Sequence, residues 1–159
     1  MSINRVYIHI PFCSSKCDYC TFHSVVPHNK SIIENYFEKL ESDIAHCNLT
    51  SDKIDSLFIG GGTPSFLSVA ELNKLFLLLN KSFTFNKDPE ITIECNPESL
   101  TSDKIKAISR FANRISFGVQ SFNPVFRNKI GRLGDPKSLS FCIDTFLKNN
   151  ISNFSCDLI

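Results

Sequence analysis

Long apolar runs are missing from this sequence of 159 residues. No stretch approaches the ~20 apolar residues that a membrane-spanning helix requires, and the first residues lack the basic segment and apolar segment of a secretory signal. The net charge is only +1, and neither sign is gathered into a long block, so there is no obvious source of attraction to a nucleic-acid backbone. We expect a cytoplasmic protein with no membrane span and no nucleic-acid partner.

The composition also lacks the marks of disordered or fibrous chains. Hydrophobic residues make up 42% and charged residues 21% of the sequence, which is typical of a globular protein with a core. The length corresponds to about one domain. A disulfide framework is not expected, because the seven cysteines are an odd number in a chain too large to need such staples. Three of them lie close together, at Cys13, Cys17 and Cys20.

Short apolar runs alternate with longer amphipathic ones, a pattern that predicts a parallel sheet with helical crossovers. The predicted strands are Val6–Ile10, Ser56–Ile59, Glu90–Asn96, Arg114–Gln120 and Asn153–Ile159. In most of them apolar residues alternate with small or polar ones, so one sheet face suits helices and the other suits either solvent or a ligand. We expect an α/β fold, an incomplete (β/α) barrel of about five parallel strands and four helices.

The four predicted helices begin with recognisable signals. These are capping boxes at Ser31 with Glu34 and at Ser68 with Glu71, an N-cap at Thr101 or Ser102, and Pro136 in a first turn.

The clustered cysteines follow the first strand with the spacing C-x3-C-x2-C. Loops at the carboxyl ends of barrel strands are where such folds keep their chemistry. Structural zinc usually takes four protein ligands, and His23 and His28 lie nearby only at irregular spacings. Three thiolates favour an iron–sulfur cluster with one iron open to a cofactor or substrate. Zinc and a metal-free loop remain alternatives.

Six sequence elements cover essentially the whole chain. They are Tyr7 to Cys13 with Cys17, Tyr19 and Cys20; Gly60 to Ser65; Glu94 to Pro97; Ser116 to Ser121; Arg132; and Asp157 to Ile159. Together and in this order they resemble the radical S-adenosylmethionine (SAM) proteins related to oxygen-independent coproporphyrinogen III oxidase. The resemblance implies a radical SAM barrel, heme or porphyrin metabolism, and three partners: SAM, a tetrapyrrole and an electron donor. Heme is a further candidate ligand.

By this resemblance Cys13, Cys17 and Cys20 hold a [4Fe-4S] cluster whose open iron binds SAM. The implied cofactor contacts are Tyr7, Tyr19, Gly61, Gly62, Thr63, Glu94, Gln120, Arg132 and Asp157. For two of these contacts the residue type itself also suggests a role. Glycine lets the backbone approach a ligand closely, although a plain turn is the alternative. Glu94 on the polar face can balance a cationic amine or sulfonium, although an exposed strand carboxylate is the alternative.

Two departures from the family pattern bear on function. Cys20 is followed by Thr21-Phe22-His23, where members that decarboxylate coproporphyrinogen III have a Cys-Gly-Cys run. This favours the heme chaperone branch, with oxidative decarboxylation to protoporphyrinogen IX as the alternative activity. Gly134 stands where relatives usually have histidine, which removes whatever contact that imidazole makes.

Family members run to more than twice this length. We therefore expect residues 1–159 to form the N-terminal part of a radical SAM core, without the sixth strand and C-terminal domain. The fifth strand would then be an open edge available for pairing with another chain. A truncated remnant without function is the remaining alternative. The other four cysteines are expected on core faces as small hydrophobes: Cys47, Cys95, Cys142 and Cys156.

Overall fold

The computed structural model describes residues 4–47, 53–132, 134–135 and 138–159. The strands are β1 (Arg5–Ile10), β2 (Lys53–Gly61), β3 (Thr84–Cys95), β4 (Arg114–Gln120) and β5 (Phe154–Leu158). The helices are α1 (Lys30–His46), α2 (Val69–Ser82), α3 (Ser102–Ser109), α4 (Pro124–Lys129) and α5 (Ser138–Lys148). Short 3₁₀ turns at Pro64–Phe66 and Pro97–Ser99 follow β2 and β3. The predicted alternation of strands and helices is confirmed.

All five strands pair in parallel, and their order in the sheet is the order of the chain, β1-β2-β3-β4-β5. Each strand therefore lies beside the one before it, as in a barrel. β1 and β5 occupy the two ends of this order, so the described strands form an open sheet. The predicted incomplete barrel is confirmed.

The two faces of the sheet differ as their alternation predicted. The face toward the helices is almost fully buried and carries Ile8, Ile10, Leu57, Ile59, Ile91, Ile93, Cys95, Ile115, Phe117 and Val119. The opposite face carries Tyr7, His9, Glu94, Gly118 and Asp157, which alternate with the buried set along the strands. The helices thus cover one side and leave the polar side for the site. None of the described helices is long and apolar enough to cross a membrane.

The capping box of α2 is confirmed. The Glu71 backbone N–H donates to Ser68 Oγ at 3.3 Å, and the Ser68 N–H donates to Glu71 Oε2 at 2.7 Å. Thr101 is the N-cap of α3, since its Oγ1 accepts from the Lys104 N–H at 3.3 Å.

The box predicted at Ser31 and Glu34 is wrong. α1 begins at Lys30, and Asn29, two residues before Ser31, caps it by accepting from the Ile32 N–H at 3.2 Å. The Ser31 hydroxyl donates to the same Asn29 oxygen at 2.7 Å.

The helix count exceeds the prediction, because the described residues contain the additional six-residue helix α4. Asn123 caps it by accepting from the Val125 N–H at 2.9 Å, and Pro124 occupies its first position. Asparagine followed by proline is a known start signal, but the helix is too short for an apolar period. Pro136, predicted in the first turn of the last helix, lies outside the described residues.

The expectation for the isolated cysteines holds for two of the four. Cys95 and Cys142 are buried. Cys47 is exposed because it directly follows the last turn of α1. Cys156 is exposed because it lies on the edge strand β5, where α5 covers Phe154 through Phe146 but not the end of the strand.

Candidate cofactor site

A cavity lies at the carboxyl ends of the strands, on the polar side of the sheet. All three clustered cysteines line it, as do eight of the nine predicted cofactor contacts: Tyr19, Gly61, Gly62, Thr63, Glu94, Gln120, Arg132 and Asp157. Tyr7 does not line it. Tyr7 is half-exposed on the polar face of β1, where its ring stacks on that of Phe58 with the centroids 6.0 Å apart.

The cysteine loop is anchored to the end of β1. The Cys13 N–H donates to Val25 O at 3.0 Å, and the Val25 N–H donates to Pro11 O at 2.7 Å. Phe12, between Pro11 and Cys13, is fully buried, and its ring packs edge-on against the Tyr36 ring with the centroids 5.2 Å apart. These contacts fix the first cysteine at the rim of the sheet.

The other two cysteines share one turn of that loop. The Cys20 N–H donates to Cys17 O at 3.1 Å, and the Asp18 N–H donates to Ile130 O at 3.2 Å, which ties the turn to the segment after α4. Among the described residues, no three His, Cys, Asp or Glu side chains converge on a point where one metal ion could bind. The three thiols instead line different parts of the same cavity.

The glycine loop (Gly60 to Thr63), which begins at the end of β2, lies too close to its neighbours for its glycines to carry side chains. Gly61 has φ +113°, and a Cβ there would lie 2.6 Å from His9 Nδ1. A Cβ on Gly62 would lie 2.8 Å from Phe12 O. The Gly61 N–H donates to Glu94 Oε2 at 3.0 Å. Close packing against β1 and the start of the cysteine loop therefore requires glycine at both positions, and both residues line the cavity with backbone atoms only.

Glu94 is a partly buried carboxylate on β3. Burial raises the pKa of Glu94, and the nearby Asp157 raises it further, while the Gly61 N–H and His9 act in the opposite direction. A carboxylate with these surroundings is stabilised in its charged form by a cation placed beside it.

His9 joins the end of the cysteine loop to β1. Its Nε2 lies 2.9 Å from His23 O, and because a carbonyl oxygen only accepts, this nitrogen donates. In the neutral ring Nδ1 then accepts from Tyr7 OH at 3.0 Å. The Tyr36 hydroxyl donates to the backbone oxygen of His9 at 2.7 Å. The sequence indicated only that His9 shares the polar face, and its tie to the loop was not predicted.

Arg132 reaches the cavity in a fixed orientation. Its Nη2 donates to Asn96 Oδ1 at 2.6 Å and to Gly118 O, and its Nε lies 3.1 Å from Glu98 Oε1. Arg127 is fully buried, and its Nη2 lies 3.4 Å from the same Glu98 oxygen. Glu98 and Asn96 line the cavity as well. Sequence reasoning assigned neither a role, although Asn96 belongs to one of the quoted motifs.

Gln120 and Asp157 complete the cavity wall from the ends of β4 and β5. Gln120 has φ +67°, a conformation that non-glycine residues adopt rarely and mostly where the surrounding structure imposes it. Its backbone oxygen accepts from the Ile159 N–H at 2.9 Å, so β5 holds this residue in place.

Two groups near the cysteines have raised pKa values. Burial raises the pKa of Tyr19 to about 12, and the Cys17 sulfur adds to this, so the phenol is neutral near pH 7. Burial also raises the pKa of the Cys13 thiol, against hydrogen bonds from Thr63 and Ser24. Metal binding to Cys13 would therefore release a proton.

The sequence model of the radical SAM superfamily matches residues 7–159. Because this match spans nearly the whole sequence, the chain belongs to the radical SAM superfamily. Membership implies a [4Fe-4S] cluster and SAM, and the residues fit both: three thiols share the cavity with bare glycine backbone and a partly buried carboxylate.

The chain is similar to two kinds of curated protein. It is 36% identical to the heme chaperone HemW of Lactococcus lactis subsp. lactis, over 98% of this chain and 41% of that protein. It is 32% identical to the oxygen-independent coproporphyrinogen III oxidase of Salmonella typhimurium, over 97% of this chain and 34% of that protein. The solved coproporphyrinogen III oxidase (HemN) from Escherichia coli, a radical SAM enzyme, superposes with a TM-score of 0.89 at 30% identity, over 96% of this chain and 36% of that one. The chain thus spans well under half the length of these relatives.

Proposed function

We propose that this chain binds a [4Fe-4S] cluster through Cys13, Cys17 and Cys20, binds SAM beside it, and acts in heme or porphyrin metabolism as a heme chaperone-like protein. The observation that carries the proposal is the single cavity shared by the three cysteines and most of the predicted cofactor contacts. These residues come from the carboxyl ends of the five described strands and from the loops that follow them. Three cysteines without a shared ligand would not be expected to lie in one cavity together with these residues.

The cysteine geometry supports a cluster over a single ion. A cluster spreads its thiolate ligands over several iron atoms, so the sulfurs need not converge on one point. Three thiolates leave one iron for a ligand that the protein does not supply. When bound and reduced, the cluster supplies the electron that cleaves the sulfonium of SAM, so an electron donor is a required partner.

The chain's own groups would bind and orient SAM. Glu94 gains a compensating charge from the amine or sulfonium, which offsets the cost of its burial. Gly61 and Gly62 offer the ligand backbone atoms without side chains. Tyr19, neutral near pH 7, offers its ring to the adenine. Arg132 contributes a positive charge from a fixed position.

The heme chaperone branch is favoured over the oxidase by the residues after the third cysteine. Thr21 directly follows Cys20, at a point where decarboxylating relatives carry a Cys-Gly-Cys run. The chain is also similar to several HemW proteins at 31–36% identity. A tetrapyrrole is the proposed partner in either case, with heme as the ligand of a chaperone. The similarity to coproporphyrinogen III oxidases keeps oxidative decarboxylation as the second candidate.

Anaerobic reconstitution with iron and sulfide tests the cofactor assignment. The expected result is about four irons per chain and an electron paramagnetic resonance (EPR) signal of the reduced protein that changes when SAM is added. Cys17→Ser should lose this signal. Cys47→Ser should keep it, since Cys47 is exposed and lies outside the cavity.

A Cys17→Ser variant that retained the full cluster would contradict the assignment. A wild-type chain that formed no stable cluster would favour the remnant hypothesis instead. With the loaded chain, heme titration followed by absorbance separates the two activities: a saturable spectral shift supports the chaperone, whereas conversion of coproporphyrinogen III to protoporphyrinogen IX supports the oxidase.

A further inference from the structure

The Sγ of Cys13 has a hydroxyl neighbour from the glycine loop. Thr63 Oγ1 lies 3.4 Å from it, and Thr63 is buried. The Thr63 backbone N–H donates to Phe12 O at 2.7 Å, which holds the residue against the start of the cysteine loop. A hydroxyl can either donate or accept, so this distance alone does not give the direction of the hydrogen bond.

The groups on the other side of Thr63 show that its oxygen acts as an acceptor there. A guanidinium only donates, so the Asn96 atom 2.6 Å from Arg132 Nη2 must be the amide oxygen. The amide nitrogen of Asn96 then faces Thr63, and its Nδ2 lies 3.1 Å from Oγ1. An amide nitrogen also only donates, so Thr63 Oγ1 accepts from it. The hydroxyl hydrogen of Thr63 remains for Cys13.

Metal binding makes this direction obligatory. A thiolate carries no proton and can only accept. With Cys13 bound to a cluster, a hydrogen bond between Cys13 and Thr63 can have only the hydroxyl as its donor.

The surrounding backbone keeps Asn96 in place. Its own N–H donates to Ser65 Oγ at 2.9 Å, and Lys104 Nζ donates to Ser65 O at 2.7 Å and to Ser99 O at 3.1 Å. A Cβ on Gly118 would lie 3.0 Å from Asn96 Oδ1, so the glycine leaves room for the amide beside the guanidinium.

We propose that Arg132, Asn96 and Thr63 form a one-way hydrogen-bond relay that ends on the Cys13 thiolate and raises the reduction potential of the cluster. A hydrogen bond to a ligating sulfur withdraws electron density and stabilises the more negative, reduced state. Arg132 sets the orientation of the amide, and the amide sets the direction of the hydroxyl. The inference rests on the proposed function, since it concerns the cluster on Cys13.

The test compares midpoint potentials, measured by EPR-monitored redox titration of the loaded chain. Thr63→Val keeps the shape of the side chain without the hydroxyl, and Thr63→Ser keeps the hydroxyl as the matched control. We expect a more negative potential for Thr63→Val than for wild type, and a potential close to wild type for Thr63→Ser. Iron content, measured first, shows that each variant is loaded equally.

Asn96→Asp tests the direction of the relay. It keeps an oxygen for Arg132 but replaces the Nδ2 donor by an acceptor, so the Thr63 hydroxyl turns toward the new carboxylate and away from Cys13. The potential should become more negative although the hydroxyl is still present. The double variant of Thr63→Val and Asn96→Asp should shift by less than the sum of the two single shifts, because both remove the same hydrogen bond.

The outcomes separate the relay from the cofactor assignment. A wild-type chain that binds no cluster overturns the proposed function. Equal loading with equal potentials for wild type and Thr63→Val overturns the relay and leaves the cofactor assignment standing. If Thr63→Val does not load, an Asn96→Asp potential equal to that of wild type overturns the relay. Strictly additive shifts in the double variant also overturn it.

Discussion

Glu98 is the carboxylate that two buried guanidiniums share. Its Oε1 lies 3.4 Å from Arg127 Nη2 and 3.1 Å from Arg132 Nε. The Arg127 and Arg132 side chains are 2% and 8% exposed, and that of Glu98 is 21% exposed. Glu98→Gln preserves the shape of the side chain and removes its charge. We expect this substitution to destabilise the chain, because both buried arginines lose a negative charge beside them.

The size of the effect follows from this burial. Removing one partner of a buried ion pair costs about 3–5 kcal/mol. The lower end applies here, since Glu98 is partly exposed and Arg127 keeps its hydrogen bond to Val119 O at 2.5 Å. For a chain of this size a loss of about 3 kcal/mol lowers the melting temperature by about 6–12 °C.

Thermal unfolding of the reduced, cofactor-free chain, followed by circular dichroism, measures this loss. Asp43→Asn is the matched control, because Lys39 and Asp43 form an ion pair at 2.6 Å whose side chains are 73% and 56% exposed. An exposed pair of this kind is worth about 0.3–0.5 kcal/mol. The Glu98 effect should persist at 1 M salt, where exposed pairs are screened.

A Glu98→Gln chain that melts together with the Asp43→Asn control, or above wild type, would refute the reasoning. It would mean that the Glu98 charge adds nothing to the stability of the two buried arginines.

Two more predictions concern the walls of the cavity. Gly61→Ala should destabilise the chain by at least about 1–2 kcal/mol, because φ is left-handed there and the new Cβ must displace the His9 ring; a urea denaturation curve matching wild type would contradict this. Glu94→Gln should stabilise the cofactor-free chain at pH 7. Because the pKa of Glu94 is raised, the folded state holds the carboxyl proton more tightly than the unfolded state does. Ionised Glu94 therefore lowers the free energy of unfolding as the pH rises above the ordinary carboxyl pKa of 4.5. The gain in melting temperature should shrink toward that pH, and a gain independent of pH would count against it.

Local sequence signals predicted the local features well. The box at Ser68 and Glu71 depends only on residues within one helical turn. The box at Ser31 failed because Asn29, two residues earlier, is an equally good cap, and the sequence pattern does not choose between them. The exposure of Cys156 was missed because it depends on which helix packs over the edge strand.

The sequence by itself determined the spacing of the three clustered cysteines and the two faces of the sheet. The spacing of Cys13, Cys17 and Cys20 is a local property, and strand side chains alternate with a fixed period of two whatever the sheet around them. The candidate contacts on strands, Tyr7, Glu94, Gln120 and Asp157, could therefore be placed on the polar side before any distance was known.

Only the tertiary structure decided which polar groups meet. Asn96 and Arg132 are 36 residues apart in the chain, and Asn96 and Thr63 are 33 apart. Such contacts depend on the register between parallel strands and on the course of the loops that follow them, which no local pattern fixes. For the same reason the structure placed Tyr7 outside the cavity, and brought Asn96 and Glu98 into it.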